Sequence, residues 1–246
     1  MSKQHVFPDR LKHVLGHPTG TRQFGIREQI HTKGRRVRNG EAFKSQPGSL
    51  SSSKIRKVCK TCNNGWLNKM EQDCIPVIER LIKGDLILLT KPDQIKLAKV
   101  ATSIAMVGEW MHDIHAHTSQ NERSLFRDSL QPPPGWFVFI GRNGEPYPDA
   151  AFFSDGGIAS TKPHLPGKKV YITFTIVIGP ALLHVLTVDP RTILNPDGYA
   201  EDLGLAPICP TTDWINFGIM PTLCAPEITR IRAYAREAFR KIGHGR

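Results

Sequence analysis

No stretch of this 246-residue chain approaches the ~18 uninterrupted apolar residues that a membrane-spanning helix needs. The polar, charged N-terminus also lacks the apolar run of a secretion signal, so the chain reads as cytoplasmic and without a membrane partner. Cysteine is scarce and odd in number, five in all, and none precedes Cys59. Without an export signal, that usage favours reduced thiols or a metal over a disulfide framework. Acidic residues are nearly missing from one quarter of the chain. Residues 1–70 hold three Asp/Glu against fifteen Lys/Arg, a balance of +12, whereas residues 71–246 hold nineteen against eighteen, a balance of −1. Evenly spread charge would serve solubility; charge confined to one segment builds a local field suited to phosphate backbones. With 39% hydrophobic residues, the chain still has ordinary material for a core.

The basic segment ends in Cys59-Lys60-Thr61-Cys62-Asn63-Asn64-Gly65-Trp66. Two cysteines two residues apart can direct both thiolates at one ion from a tight turn, which makes half of a tetrahedral zinc site. Two buried free thiols are the plainer reading, but the Asn-Asn-Gly turn favours a knuckle. Trp66, followed by Leu67, reads as a core anchor for that knuckle rather than a base-stacking ring. His112 and His115 share a helix face, yet they read as polar residues at a helix end. Cys74, Cys209 and Cys224 read as small core residues.

Local patterns give an α+β order. Gly16 to Ser53, rich in Gly, Ser, Thr and basic residues, reads as loop, and Lys54 to Cys59 as a short strand leading to the knuckle. A helix is expected from about Trp66 to Ile82, interrupted near Pro76 and stopped at Gly84. Thr90-Lys91-Pro92-Asp93 reads as the start of a second helix, whose apolar stripe runs from Ile95 to about Ile114. Ser119 and Glu122 form a capping-box pattern for a third helix, ended by Pro132-Pro133-Pro134. Gly135 to Arg142, about Gly157 to Thr161, Lys169 to Ile178 and Ala181 to Val188 are β-rich, the last two flanking a hairpin turn at Gly179-Pro180. A final helix opens at Pro226-Glu227 and runs towards Gly243.

Gln4-His5-Val6-Phe7-Pro8, taken with the CxxC-Asn-Asn-Gly-Trp run, resembles the HNH (ββα-metal) nuclease superfamily. More narrowly, it looks like a bacterial and phage group with an acid-His-Val-x-Pro first motif and a CxxCNxGW second motif. The resemblance implies a degenerate HNH-like zinc-knuckle module over residues 1–84. It is followed over 85–246 by a helical segment and an antiparallel β region with a C-terminal helix, of unassigned role. His5 would be the general base that draws a proton from the water attacking a DNA phosphodiester bond. Asn63, with Asn64 as neighbouring second choice, would contact a catalytic Mg2+ or similar divalent ion. Cys59 and Cys62 would hold half of a structural Zn2+ site. Lys33, Arg35, Arg36, Arg38, Lys54, Arg56, Lys57 and Lys60 would contact phosphates, positioning rather than specifying the DNA.

Two departures from the group stand out. Gln4 occupies the metal-side position usually held by an acid, and an amide oxygen is a poorer ligand for a hard dication. The group's first CxxC would fall before Met1, and the middle asparagine of the signature is matched only by Asn39 or a serine of Ser49 to Ser53. The competing implication is therefore a catalytically inactive HNH-derived module that binds nucleic acid or a protein partner. A purely structural zinc-knuckle interaction protein is the third.

Overall fold

The computed structural model describes residues 2–11, 15, 21–32, 35–47, 54–85, 88–111, 118–144, 150–160, 168–191 and 195–242; within 2–3, 21–47, 157–160, 168–170 and 236–242 only the backbone is described. The strands are β1 (Ser2–His5), β2 (Thr21–Thr32), β3 (Arg35–Pro47), β4 (Lys54–Val58), β5 (Leu88–Thr90), β6 (Trp136–Asn143), β7 (Ala150–Ser160), β8 (Lys168–Ile178), β9 (Ala181–Val188), β10 (Ala206–Cys209), β11 (Trp214–Asn216) and β12 (Thr222–Leu223). Among the described residues, five helices of eight residues or more accompany them: α1 (Asn68–Lys83), α2 (Lys91–Gly108), α3 (Gln120–Ser129), α4 (Pro196–Leu203) and α5 (Ala225–Ile242).

The main sheet has the order β10-β6-β9-β8-β7-β2-β3, with β12 also paired to β6. β8 and β9 meet across Gly179-Pro180, with Ile178 opposite Ala181, as the sequence predicts. The sheet is mixed rather than antiparallel throughout, because β2 runs parallel to β7 and β12 parallel to β6. Two long strands also occupy most of the stretch that reads as loop: β2 and β3 pair from Thr21↔Pro47 to Thr32↔Arg35. Phe24, Ile26 and Ile30 carry a period-two signal there, diluted by Gly25 and by charged neighbours.

Both faces of the sheet are covered, so its central strands read as almost continuous apolar runs, and every residue of β9 is buried. On one face Val138, Ile140, Phe152, Phe174, Ile176 and Val185 join Ile78 and Leu81 of α1 and Leu97, Ala101 and Ile104 of α2 in one core cluster. Their alternates Phe139, Phe153, Leu182 and Leu186 pack against Tyr199 and Leu203 of α4 and Ile228, Ile231 and Ala235 of α5. Each fully buried phenylalanine contributes about 2 kcal/mol. On the α4 side, the fully buried His184 ring lies 3.1 Å from Thr175 Oγ1 and 3.0 Å from the Tyr199 hydroxyl, and burial pushes its pKa down to about 3. Val6, Phe7, Leu11, Leu67 and Met70 belong to the first cluster, and β2 joins β7. Core and sheet therefore run across position 84.

Local signals fix the helix ends. Thr90 and Asp93 form a reciprocal capping box at α2, and Ser119 and Glu122 do so at α3, each such cap contributing about 1 kcal/mol. Glu122 does double duty, since its Oε1 accepts a 3.0 Å hydrogen bond from the Trp136 indole. α1 runs through Pro76 without the expected break and stops at Gly84, whose φ of 77° is the left-handed cap conformation. α2 presses its alanines onto the sheet so closely that a Cβ on Gly108 would lie 2.6 Å from the Phe152 ring. It stops at Gly108, short of the expected Ile114, and a tight turn continues over Glu109–Met111. His112 and His115 lie outside the described residues. At the start of that turn, Glu109 forms a buried ion pair with Arg123 and accepts from the Thr118 backbone N–H at 3.1 Å and hydroxyl at 3.2 Å. Among the described residues, no helix is long and apolar enough to cross a membrane.

Candidate nucleic-acid interface

β1 and β4 form their own antiparallel ladder, with Gln4 opposite Ile55, His5 opposite Lys54 and Ser2 opposite Val58. The chain then turns at Cys59 and passes through a short helical turn (Lys60–Cys62) and a wide one (Asn63–Leu67) into α1. The result is strand, strand and helix in contact, with residues 6–53 between the two strands.

The CxxC lies on a turn between β4 and α1, where the sequence puts it. Cys59 has extended backbone angles at the N-terminal end of the turn, and its Sγ accepts a 3.0 Å hydrogen bond from the Cys62 N–H, while Asn63 N–H donates to the Cys59 carbonyl at 2.9 Å. Cys62's side chain, then its backbone N–H, hold the Cys59 thiol below its ordinary range. Conversely, the Cys59 hydrogen bond and then burial raise the Cys62 thiol, opposed by the Trp66 indole. Cys59 is thus the acidic member of the pair. Trp66 anchors the turn as expected, its ring edge-on to Phe126 at 5.8 Å and 77°.

His5 and Gln4 lie at the far end of that ladder from the knuckle. β4 runs from Lys54, beside His5, to Val58, beside Ser2, a span of about 13 Å at the usual strand rise. Asn63, half-buried, and Asn64, exposed, follow the Val58 end. α1 returns over the ladder, and there the residue that meets Gln4 is Glu71. The buried Gln4 Nε2 donates to Glu71 Oε1 at 3.0 Å. Burial pushes the Glu71 carboxyl up to about 7; the Gln4 hydrogen bond lowers it and the nearby Asp9 charge raises it. His5 Nε2 lies 3.1 Å from Asp9 Oδ1. The sequence reading missed both acids. Glu71 carried a signal, because it occupies a place on the apolar stripe Leu67, Met70, Cys74, Ile75 and Ile78, where an acid is out of pattern.

The residues at hand do not make up a metal-holding set by themselves. Among the described residues, no three His, Cys, Asp or Glu side chains come together in a way that could hold an ion. Cys59 and Cys62 offer two of the four donors that zinc takes. Cys74 is buried, donates to the Lys96 carbonyl at 3.1 Å and has its thiol pushed up to about 12 by burial, which fits the packing role expected of it. Cys224 is exposed, so core packing does not account for it.

The basic residues of β4 and the turn stand at the surface. Lys54, Arg56, Lys57 and Lys60 are all exposed, and none forms an ion pair with a described residue. Lys57 Nζ stands 4.7 Å over the Trp110 ring, which orients its stem without neutralising its charge. Arg35, Arg36 and Arg38 lie on β3, the edge strand of the main sheet, with Arg36 opposite His31 and Arg38 opposite Ile30. Lys33 and the Ser49 to Ser53 run lie outside the described residues, and Asn39 lies on β3. No protein-family model, curated protein or solved structure matches this chain.

Proposed function

We propose that this chain binds nucleic acid, DNA in the first place, through the basic face of an HNH-like strand-strand-helix frame. The observation that carries this reading is the row of exposed cations, Lys54, Arg56, Lys57 and Lys60, on β4 and the turn after it, none of which forms an ion pair with a described residue. A cation already paired within the protein gains little from a phosphate, whereas an unpaired one releases condensed counterions when it meets one. Such contacts fix register on the duplex and carry no sequence information. The +12 balance of residues 1–70 adds a steering field around them. Fluorescence anisotropy with a labelled duplex at low salt tests the reading. Arg56→Ala/Lys57→Ala should weaken binding about tenfold or more, and a duplex held equally well by this variant would refute the assigned face.

A second reading is hydrolysis of the bound phosphodiester, with His5 as base. The Asp9 carboxylate 3.1 Å from His5 Nε2 favours it, since a carboxylate beside an imidazole nitrogen sets the orientation of the ring. For His5 to take a proton from an attacking water through this nitrogen, Nε2 must exchange Asp9 for the water. A divalent ion, if bound, would stabilise charge on the phosphate and leaving oxygen. Plasmid incubated with Mg2+ or Mn2+ separates the readings: nicking that disappears in His5→Ala supports hydrolysis, and retention without nicking leaves binding as the whole activity.

A further inference from the structure

A cleft of about 380 Å3 opens between α1 and α2, beside Trp66. Its volume lies within the range of small-ligand sites. Four charged side chains line it, and their sum is uneven: Lys69, Lys96 and Lys99 against Asp73, a balance of +2 from three cations and one anion. Helical spacing explains the convergence. Lys96 and Lys99 are three residues apart on α2, and Lys69 and Asp73 four apart on α1, so each pair shares a face directed at the other helix. None of the three lysines forms an ion pair with a described residue. The remaining wall is apolar, with Trp66 and Leu130 at the sides and the buried Met70 and Cys74 beneath. The Cys74 thiol adds no charge, because burial holds it protonated and it donates to the Lys96 carbonyl.

We infer that this cleft is a binding site for a nucleoside phosphate. Three ammonium groups suit a phosphate better than a single carboxylate, because a phosphate carries up to two charges and three strong acceptor oxygens. The apolar side of the cleft, at Trp66 and Leu130, suits a base, whose flat faces gain from leaving water. Asp73, acceptor-only when ionised, supplies a partner for a sugar hydroxyl or an exocyclic amine. The same chemistry is offered by a free mononucleotide and by one unit of a single strand; the strand source alone rests on the nucleic-acid reading of the β4 face.

Calorimetric titration of the full chain tests this, using adenosine monophosphate, inorganic phosphate and a short 5′-phosphorylated single strand. The wild type should bind the mononucleotide with a Kd of about 1 mM or tighter, and Lys96→Ala/Lys99→Ala should weaken it about tenfold or more. Lys69→Ala, at an exposed position, serves as the second variant should the double one fail to fold. Binding of the mononucleotide that is lost in the variants assigns the free ligand. Binding of the strand alone, lost in the same variants, assigns the strand. The inference is overturned if neither binds, if the variants bind as the wild type does, or if inorganic phosphate binds as tightly as the mononucleotide. Arg56→Ala/Lys57→Ala should leave mononucleotide binding intact, so failure of the β4 reading and failure of this one are told apart.

Discussion

Glu71→Gln should alter the pH dependence of stability in a defined direction. In the folded chain the Glu71 carboxyl is pushed from an ordinary 4.5 up to about 7, chiefly by burial. A raised carboxyl pKa means that the folded state holds its proton more tightly than the unfolded state does. Between those two values the folded state binds more protons, so stability falls as pH rises. The full cost is in place once pH exceeds about 7. At 1.36 kcal/mol per tenfold change in proton affinity, the difference amounts to about 3 kcal/mol, and about 2 kcal/mol once partial access of water to the carboxyl is allowed for. Glutamine keeps an Oε1 that can accept from Gln4 Nε2, yet it has no proton to lose. Urea unfolding of the wild type and Glu71→Gln at pH 5 and pH 8 gives the test. The variant should gain about 2 kcal/mol on the wild type between the two values. His184, whose depressed pKa removes stability as pH falls below its ordinary 6.5, contributes equally to both proteins and cancels in the comparison. A gap between the two proteins that is the same at pH 5 and pH 8 would refute a buried, proton-binding Glu71.

Other substitutions probe the frame that holds the interface. Gly108→Ala places a methyl 2.6 Å from the Phe152 ring, which is itself fully buried against Phe174, so it should cost about 1–3 kcal/mol, seen as a lowered Tm. Glu109→Ala leaves the Arg123 guanidinium without its buried carboxylate partner and should cost about 3–5 kcal/mol in urea unfolding. A loss under about 1 kcal/mol would mean that water or a backbone carbonyl beyond Met106 already satisfies Arg123.

What the sequence discloses and what it conceals divide along physical lines. Capping at Thr90 and Ser119, the left-handed stop at Gly84 and the β8–β9 turn are local, set by residues within four positions of one another, and all are legible. The turn at Cys59 is legible for the same reason. The pairing of β2 with β7 joins residues more than a hundred positions apart, and no local pattern encodes a partner at that distance. β2 and β3 were further masked by Gly25, Gly40 and scattered charge, which imitate loop composition. The contact of Gln4 with Glu71 follows from the path of α1 back over the ladder, so a motif-based reading looks to Asn63 and overlooks the acid eight residues on.

The salt dependence of DNA binding tests the central proposal most directly. Anisotropy titrations of one duplex over a series of salt concentrations give the slope of log K against log salt, which counts the phosphates neutralised. Replacing Lys54, Arg56, Lys57 and Lys60 by alanine should make that slope shallower by about 3 to 4, close to 0.9 for each exposed cation removed. A slope identical to that of the wild type would place the contacts elsewhere and contradict the role assigned to the β4 face.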